Sequence, residues 1–314
     1  MKPCQQPLLV PPPLHEGSRV ALCATARAVT PDEMAPAVDM LRQWGLEVVV
    51  PDGLYERDGQ LAGPDAHRAA LLSAALGDPT IDAVLCCRGG YGTVRIVDSV
   101  DFSPLRDHPK WVVGYSDVTV LHSHLHACCR MATLHATMPI NFTPEPSPAT
   151  DSLREALFGR PLDLRWQAPL VAGGPFALER VQVVGGNLSI LYSLLGSASQ
   201  VDTRGKVLLI EDLDEYLYHI DRMMQALRRA GMLDGLAALL VGGLTDMHDN
   251  TVPFGRTAEQ IVLEATEGMG FPVVLGAPIG HLGPRNRALP LGVEINFSCD
   301  SRKNCRIFAP DLCS

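Results

Sequence analysis

Along the first half of the chain, short apolar runs alternate with stretches whose apolar positions recur every three or four residues. Such alternation predicts strand followed by helix. Arg19-Val-Ala-Leu-Cys23 predicts a buried first strand. Thr30, Pro31 and Glu33 then make a capping box, with threonine at the N-cap, proline at the first helical position and glutamate at the third. Met34, Val38, Leu41 and Trp44 follow at helical spacing, Gly45 ends the helix, and Leu46 to Val50 predicts a second strand. A strand, a crossover helix and a strand imply a parallel sheet. The same rhythm predicts a helix over Pro64 to Leu76, strands at Ile81 to Cys87 and Trp111 to Gly114, a helix from about Val118 to Cys128, and a fifth strand near Met131 to Leu134.

Between Asn141 and Asp151 three prolines and little apolar content interrupt this pattern. That composition predicts a linker and crossover over 141–178. It would join an N-terminal α/β domain (19–140) to a C-terminal domain (179–314), with residues 1–18 as a proline-rich arm. Beyond the linker, Val183 to Asn187 opens a new segment, and strands are expected at Lys206 to Ile210, Leu236 to Val241 and Pro272 to Leu275. Helices are expected at Leu188 to Leu195, Ile220 to Ala230 and Thr257 to Glu267, and a closing hairpin near Val293 to Ser298 and Cys305 to Phe308.

Composition narrows the classes. The 314 residues are 46% hydrophobic, enough for a large core, and carry a net charge of −9 with no basic run. Nucleic acid is therefore not the expected partner, since phosphate contacts need clustered Lys and Arg. No apolar stretch is long enough for a membrane helix, and the N-terminus lacks a signal-peptide core, so a soluble cytoplasmic protein is expected. Nine cysteines, with adjacent pairs at Cys86-Cys87 and Cys128-Cys129, do not suggest a secreted disulfide framework. They predict buried free thiols.

Chemistry gathers where strands end. Gly114-Tyr-Ser-Asp117 follows an apolar strand and precedes a helix, the layout of a nucleophile elbow that exposes Ser116 and aims backbone N–H groups at an oxyanion. Val118 replaces the last glycine of the usual pattern, and a simple Ser-Asp helix cap remains the alternative. Arg88-Gly-Gly-Tyr-Gly92 also follows a strand. It reads as a phosphate cradle, as half of an oxyanion hole facing Ser116, or as a plain turn. His122, His124 and His126 lie on the helix leaving the elbow; only His122 and His126 share a face, so partly exposed histidines are expected rather than a metal site. His281 sits in a glycine-proline loop just past a strand, and Glu211, Asp212, Asp214 and Glu215 compete as the carboxylate that would orient it.

Cys87-Arg-Gly-Gly-Tyr-Gly92, Gly114-Tyr-Ser-Asp117, Gly185-Gly-Asn-Leu188, Leu208-Leu-Ile-Glu-Asp212 with His219-Ile-Asp-Arg222, and Gly276-Ala-Pro-Ile-Gly-His281 together resemble the LD-carboxypeptidases. This is a family of serine peptidases that includes muramoyltetrapeptide carboxypeptidase and the microcin C self-immunity hydrolases. The resemblance runs from about Arg19 to Phe308. It implies a flavodoxin-like or amidotransferase-like parallel-sheet N-terminal domain and a smaller, swivelling β/α C-terminal domain. It implies Ser116 as nucleophile, His281 as base and Glu211 as its orienting partner. Backbone N–H groups of Asp117, Gly89 and Gly90 would form the oxyanion hole. Arg88, Tyr91 and Glu215 are candidates for binding substrate. The implied protein is a homodimer without cofactor or metal that releases D-alanine from murein tetrapeptides during peptidoglycan recycling. Asp214 departs from the glycine that many members carry, which is expected to alter the loop at Glu215. Rival expectations are a hydrolase of peptidyl- or acyl-adenylates and a non-catalytic α/β protein that binds a small ligand.

Overall fold

A computed structural model describes residues 8–310 of the chain. Residues 1–7 of the expected arm lie outside the described residues. The rest of the arm is pinned: Leu9 N donates to Arg130 O at 2.8 Å and Leu14 N to Leu157 O at 2.7 Å.

The strands are β1 (Arg19–Cys23), β2 (Glu47–Val49), β3 (Ala83–Cys86), β4 (Trp111–Gly114), β5 (Thr133–His135), β6 (Leu162–Gln167) and β7 (Val171–Ala172) in the first part of the chain. They continue as β8 (Phe176–Asn187), β9 (Val207–Leu213), β10 (Ala238–Thr245), β11 (Val273–Val274), β12 (Leu289–Leu291), β13 (Glu294–Cys299) and β14 (Asn304–Ala309). The helices are α1 (Pro31–Gln43), α2 (Asp65–Gly77), α3 (Thr119–His124), α4 (Pro148–Leu157), α5 (Leu188–Ser193), α6 (Leu217–Arg229) and α7 (Ala258–Thr266).

Six strands form the first sheet, in the order β12-β5-β4-β3-β1-β2, and eight form the second, β6-β14-β13-β8-β9-β10-β11-β7. The molecule is thus a two-domain α/β protein. Strands β1 to β5 pair in parallel, as the β-α-β rhythm predicts, while β12 runs antiparallel to β5. The second sheet is parallel only across β8-β9-β10-β11 and antiparallel on both flanks. Both sheets are therefore mixed, and the second is the larger in strands, contrary to the smaller C-terminal domain expected. Strand β12 lies late in the chain yet completes the first sheet, so the segment after His281 crosses back to the N-terminal domain.

The predicted capping box at α1 is present, with Thr30 accepting from Glu33 N and Glu33 reaching back to Thr30 N. The stretch 141–178 is not a structureless linker: it holds α4, β6, β7 and the start of β8. Ser147 caps α4 and Pro148 opens it, so a proline that reads as a breaker is a helix start. Five of the seven described cysteines are buried, as expected of apolar thiols; Cys128 is exposed.

Every parallel strand of the first sheet ends on the same edge, and so do β8, β9 and β11 of the second. The helix α3, leaving the end of β4, docks on the end of β8, where Asn187 N donates to Thr119 Oγ1 at 3.0 Å. A Cβ on Gly186 would come within 2.6 Å of that same hydroxyl, so glycine is what permits this approach. Close docking brings the strand ends of both domains to one cleft.

Candidate active site

Ser116 lies two residues past the strand end, with φ +63°. A left-handed conformation is costly for a non-glycine residue and marks sites where the surrounding structure holds the strain. Gly114 explains how Val118 replaces the usual final glycine: a Cβ on Gly114 would lie 2.8 Å from Val118. The bulk that the pattern forbids after the serine is accommodated by the glycine before it. The Asp117 carboxylate is buried and accepts from Thr93 N at 2.9 Å.

The Gly89–Gly90 turn leaves β3 beside this elbow. A Cβ on Gly89 would sit 3.0 Å from Ser116 Cβ and 3.1 Å from its Oγ. Gly90 has φ +107°. Among the described residues, nothing accepts from the backbone N–H of Gly89 or Gly90. The two glycines therefore present backbone next to the serine hydroxyl.

From the other domain, Glu211 ends the pairing of β9 with β8, fully buried. Its Oε2 accepts from His281 Nδ1 at 2.6 Å and from His281 backbone N at 3.2 Å. Gly280 makes this fit possible, since a Cβ there would lie 2.5 Å from Glu211 Oε2. Burial opposes charge on Glu211, but the imidazoles of His135 and His281 outweigh it and hold the carboxyl below its usual range. Burial also disfavours the imidazolium of His281, yet the hydrogen bond and charge of Glu211 prevail and raise its pKa above the ordinary histidine value. Ser116, His281, the Gly89–Gly90 turn, Arg88 and Glu215 all line one cleft of about 550 Å³.

The remaining candidates divide. Arg88 lines the cleft but is engaged by Glu33, with Nη1 to Oε1 at 3.4 Å. Tyr91 is 46% exposed and stands apart from the residues lining the cleft. Glu215 lines it, with Oε2 on His219 Nδ1 at 2.6 Å. Asp214 has φ +59°, so aspartate takes up the conformation a glycine would favour, and its carboxylate pairs with His248. Of the histidines after the elbow, His124 and His126 are partly exposed, as expected, and His122 is not. His122 is buried, with Nε2 hydrogen-bonded to Gly114 O at 3.0 Å, and burial beside His135 drives its pKa down to about 3.

Four residues of the site were not singled out as candidates in the sequence, although Tyr115 and Asn187 lie within its quoted motifs. Tyr115 places its ring 4.8 Å from the His281 imidazole. His135, fully buried at the end of β5, has Nε2 3.9 Å from Glu211 Oε1, beyond hydrogen-bond reach but within range of its charge. Asn187 caps α5 and donates from Nδ2 to Asp212 Oδ1 at 2.8 Å. Burial and the neighbouring Glu211 push Asp212 up to about 7, against those hydrogen bonds. Arg27 lines the cleft from the loop after β1. Nothing in periodicity marks any of the four.

Family models match this chain over both domains: an LD-carboxypeptidase N-terminal domain at residues 20–136 and an LD-carboxypeptidase C-terminal domain at residues 180–297. The chain is 37% identical over 293 residues to a probable murein peptide carboxypeptidase of Bacillus subtilis (strain 168), covering 90% of each protein. It is 29% identical over 287 residues to the murein tetrapeptide carboxypeptidase of Pseudomonas aeruginosa, covering 87% of this chain and 91% of that one. In fold it resembles the crystal structure of muramoyltetrapeptide carboxypeptidase from Oxalobacter formigenes, with a TM-score of 0.83 at 23% identity, over 93% of this chain and 99% of that one.

Proposed function

Because the chain belongs to the LD-carboxypeptidase family, we propose that it is a serine peptidase that releases the terminal D-alanine of murein tetrapeptides, with Ser116, His281 and Glu211 as its catalytic residues. The observation that carries this reading is the Glu211–His281 pair at 2.6 Å, opening on the same cleft as a serine held at φ +63°.

The chemistry follows from which imidazole nitrogen is taken. Glu211 is ionised and accepts from Nδ1–H of His281. That fixes the tautomer and leaves the Nε2 lone pair toward the cleft as the base. Nε2 removes the proton of the Ser116 hydroxyl as Oγ attacks the carbonyl carbon of the amide between the diamino acid and D-alanine. The backbone N–H groups of Asp117 and the Gly89–Gly90 turn are suited to the oxyanion that forms. His281 then returns the proton to the leaving amine, D-alanine departs, and water releases the acyl group by the same steps in reverse.

Nucleophile and base belong to different domains, so correct docking is a condition of activity. Assembly as a homodimer forms part of the same reading. The test is turnover of murein tetrapeptide followed by mass spectrometry. D-alanine is released from the natural peptide and nothing from the diastereomer ending in L-alanine. Cleavage of an acyl-adenylate with no action on the tetrapeptide would overturn the reading.

A further inference from the structure

An exopeptidase has to recognise the charged end of its substrate, and the cleft wall carries two arginines suited to that task, Arg27 and Arg88. They are in different states. Arg88 is 3.4 Å from Glu33 Oε1, and Glu33 is itself fixed by the α1 capping box. Arg27 is exposed to the cleft, and no described residue engages its guanidinium in a hydrogen bond or ion pair.

The acids around the cleft are already occupied. Asp117 accepts from Thr93, Glu215 from His219, and Asp214 pairs with His248. Arg27 is left as the cation without a counter-charge.

Its position is set by Gly90. A Cβ there would strike Arg27 Cδ at 2.6 Å and Nε at 2.7 Å, so the arginine stem lies directly on the glycine turn beside Ser116. Backbone bonds hold the segment in place: Ala28 N donates to Gln60 O and Ala62 N to Ala26 O, both at 3.0 Å. In a C-terminal residue the carboxylate carbon is three bonds beyond the scissile carbonyl carbon, within about 4 Å of it. A substrate whose carbonyl oxygen points at the Gly89–Gly90 N–H groups therefore presents its terminal carboxylate within one residue of that turn.

From this placement we infer that Arg27 reads the terminal carboxylate of the substrate and makes the enzyme an exopeptidase. The inference rests on the peptidase reading above. A planar guanidinium binds a carboxylate through two parallel N–H···O bonds, which neither a peptide amide nor an internal residue offers.

The test measures binding separately from turnover. Ser116→Ala protein is titrated calorimetrically with murein tetrapeptide ending in free D-alanine and with the same peptide ending in D-alaninamide. The free acid binds about 10- to 100-fold tighter. Arg27→Met in the Ser116→Ala background abolishes that preference, and Arg27→Lys restores part of it. An acid–amide preference that survives Arg27→Met overturns the inference, as does equal binding of acid and amide by Ser116→Ala alone. Wild-type protein that binds the acid through Arg27 yet releases no D-alanine would instead overturn the peptidase reading.

Discussion

Glu211 Oε2 accepts two hydrogen bonds from one residue, His281, through Nδ1 at 2.6 Å and through the backbone N at 3.2 Å. One carboxylate oxygen thus fixes both the ring and the loop that carries it. Glu211→Gln keeps the shape but offers an N–H or a neutral oxygen where the imidazole requires an anion. It is expected to lower kcat by about 10³- to 10⁴-fold, the scale of losing the correct tautomer in a serine triad. Steady-state kinetics on murein tetrapeptide checks this; a loss under tenfold would remove Glu211 from the catalytic set.

Under the proposed mechanism the raised pKa of His281 sets the acid limb of the pH profile. The base it proposes is the neutral imidazole, so kcat/KM is expected to rise with pH through its pKa. Glu211 holds that pKa above the ordinary value of about 6.5. The acid limb of wild type is therefore expected above pH ~6.5. In Glu211→Gln the raising charge is gone while burial remains, so the residual activity is expected to persist to lower pH. The pH dependence of kcat/KM for both proteins is the check, and an unmoved limb would contradict the assignment.

Gly89→Ala tests the contact between turn and nucleophile. The added Cβ would press on Ser116 at 3.0 to 3.1 Å, and Gly89 has no positive φ to make alanine strained in itself. The expected effect is a fall in kcat of about 10- to 100-fold, from a small displacement of the serine, with little change in Tm. A comparable fall in Tm would mean that the turn is structural.

His135 faces the other oxygen of Glu211, with Nε2 3.9 Å from Oε1. His135→Gln removes one of the two imidazoles that hold the Glu211 carboxyl below its usual range. A tenfold or greater loss of kcat is expected, on the order of 1.4 kcal/mol, with KM little changed, because His135 does not itself line the cleft. A rise in KM with kcat preserved would contradict a role exercised through Glu211.

Much of this was legible in the chain because strand ends leave a record. Apolar runs at β3, β4, β9 and β11 stop where Arg88-Gly-Gly, Gly114-Tyr-Ser, Glu211 and Gly276-Ala-Pro begin, so the strand ends that meet at the candidate cleft could be read from hydrophobic pattern. The choice of Glu211 over its acidic neighbours did not; it came from likeness to a family. Arg27 and His135 were hidden because a loop arginine and a strand histidine look the same whether or not they face a cleft. Helix α4 was hidden for a different reason: Pro148 opens a helix capped by Ser147, and the same residue elsewhere breaks one. Strand β12 was out of reach, because membership of the N-terminal sheet is decided by packing some 150 residues after β5, not by local propensity.

The most direct measurement is D-alanine release from murein tetrapeptide by wild type and by Ser116→Ala, each shown by circular dichroism to be folded. The account predicts turnover by wild type and a loss of at least about 10³-fold in the variant, with the fold intact. Wild-type rates in folded Ser116→Ala would contradict it.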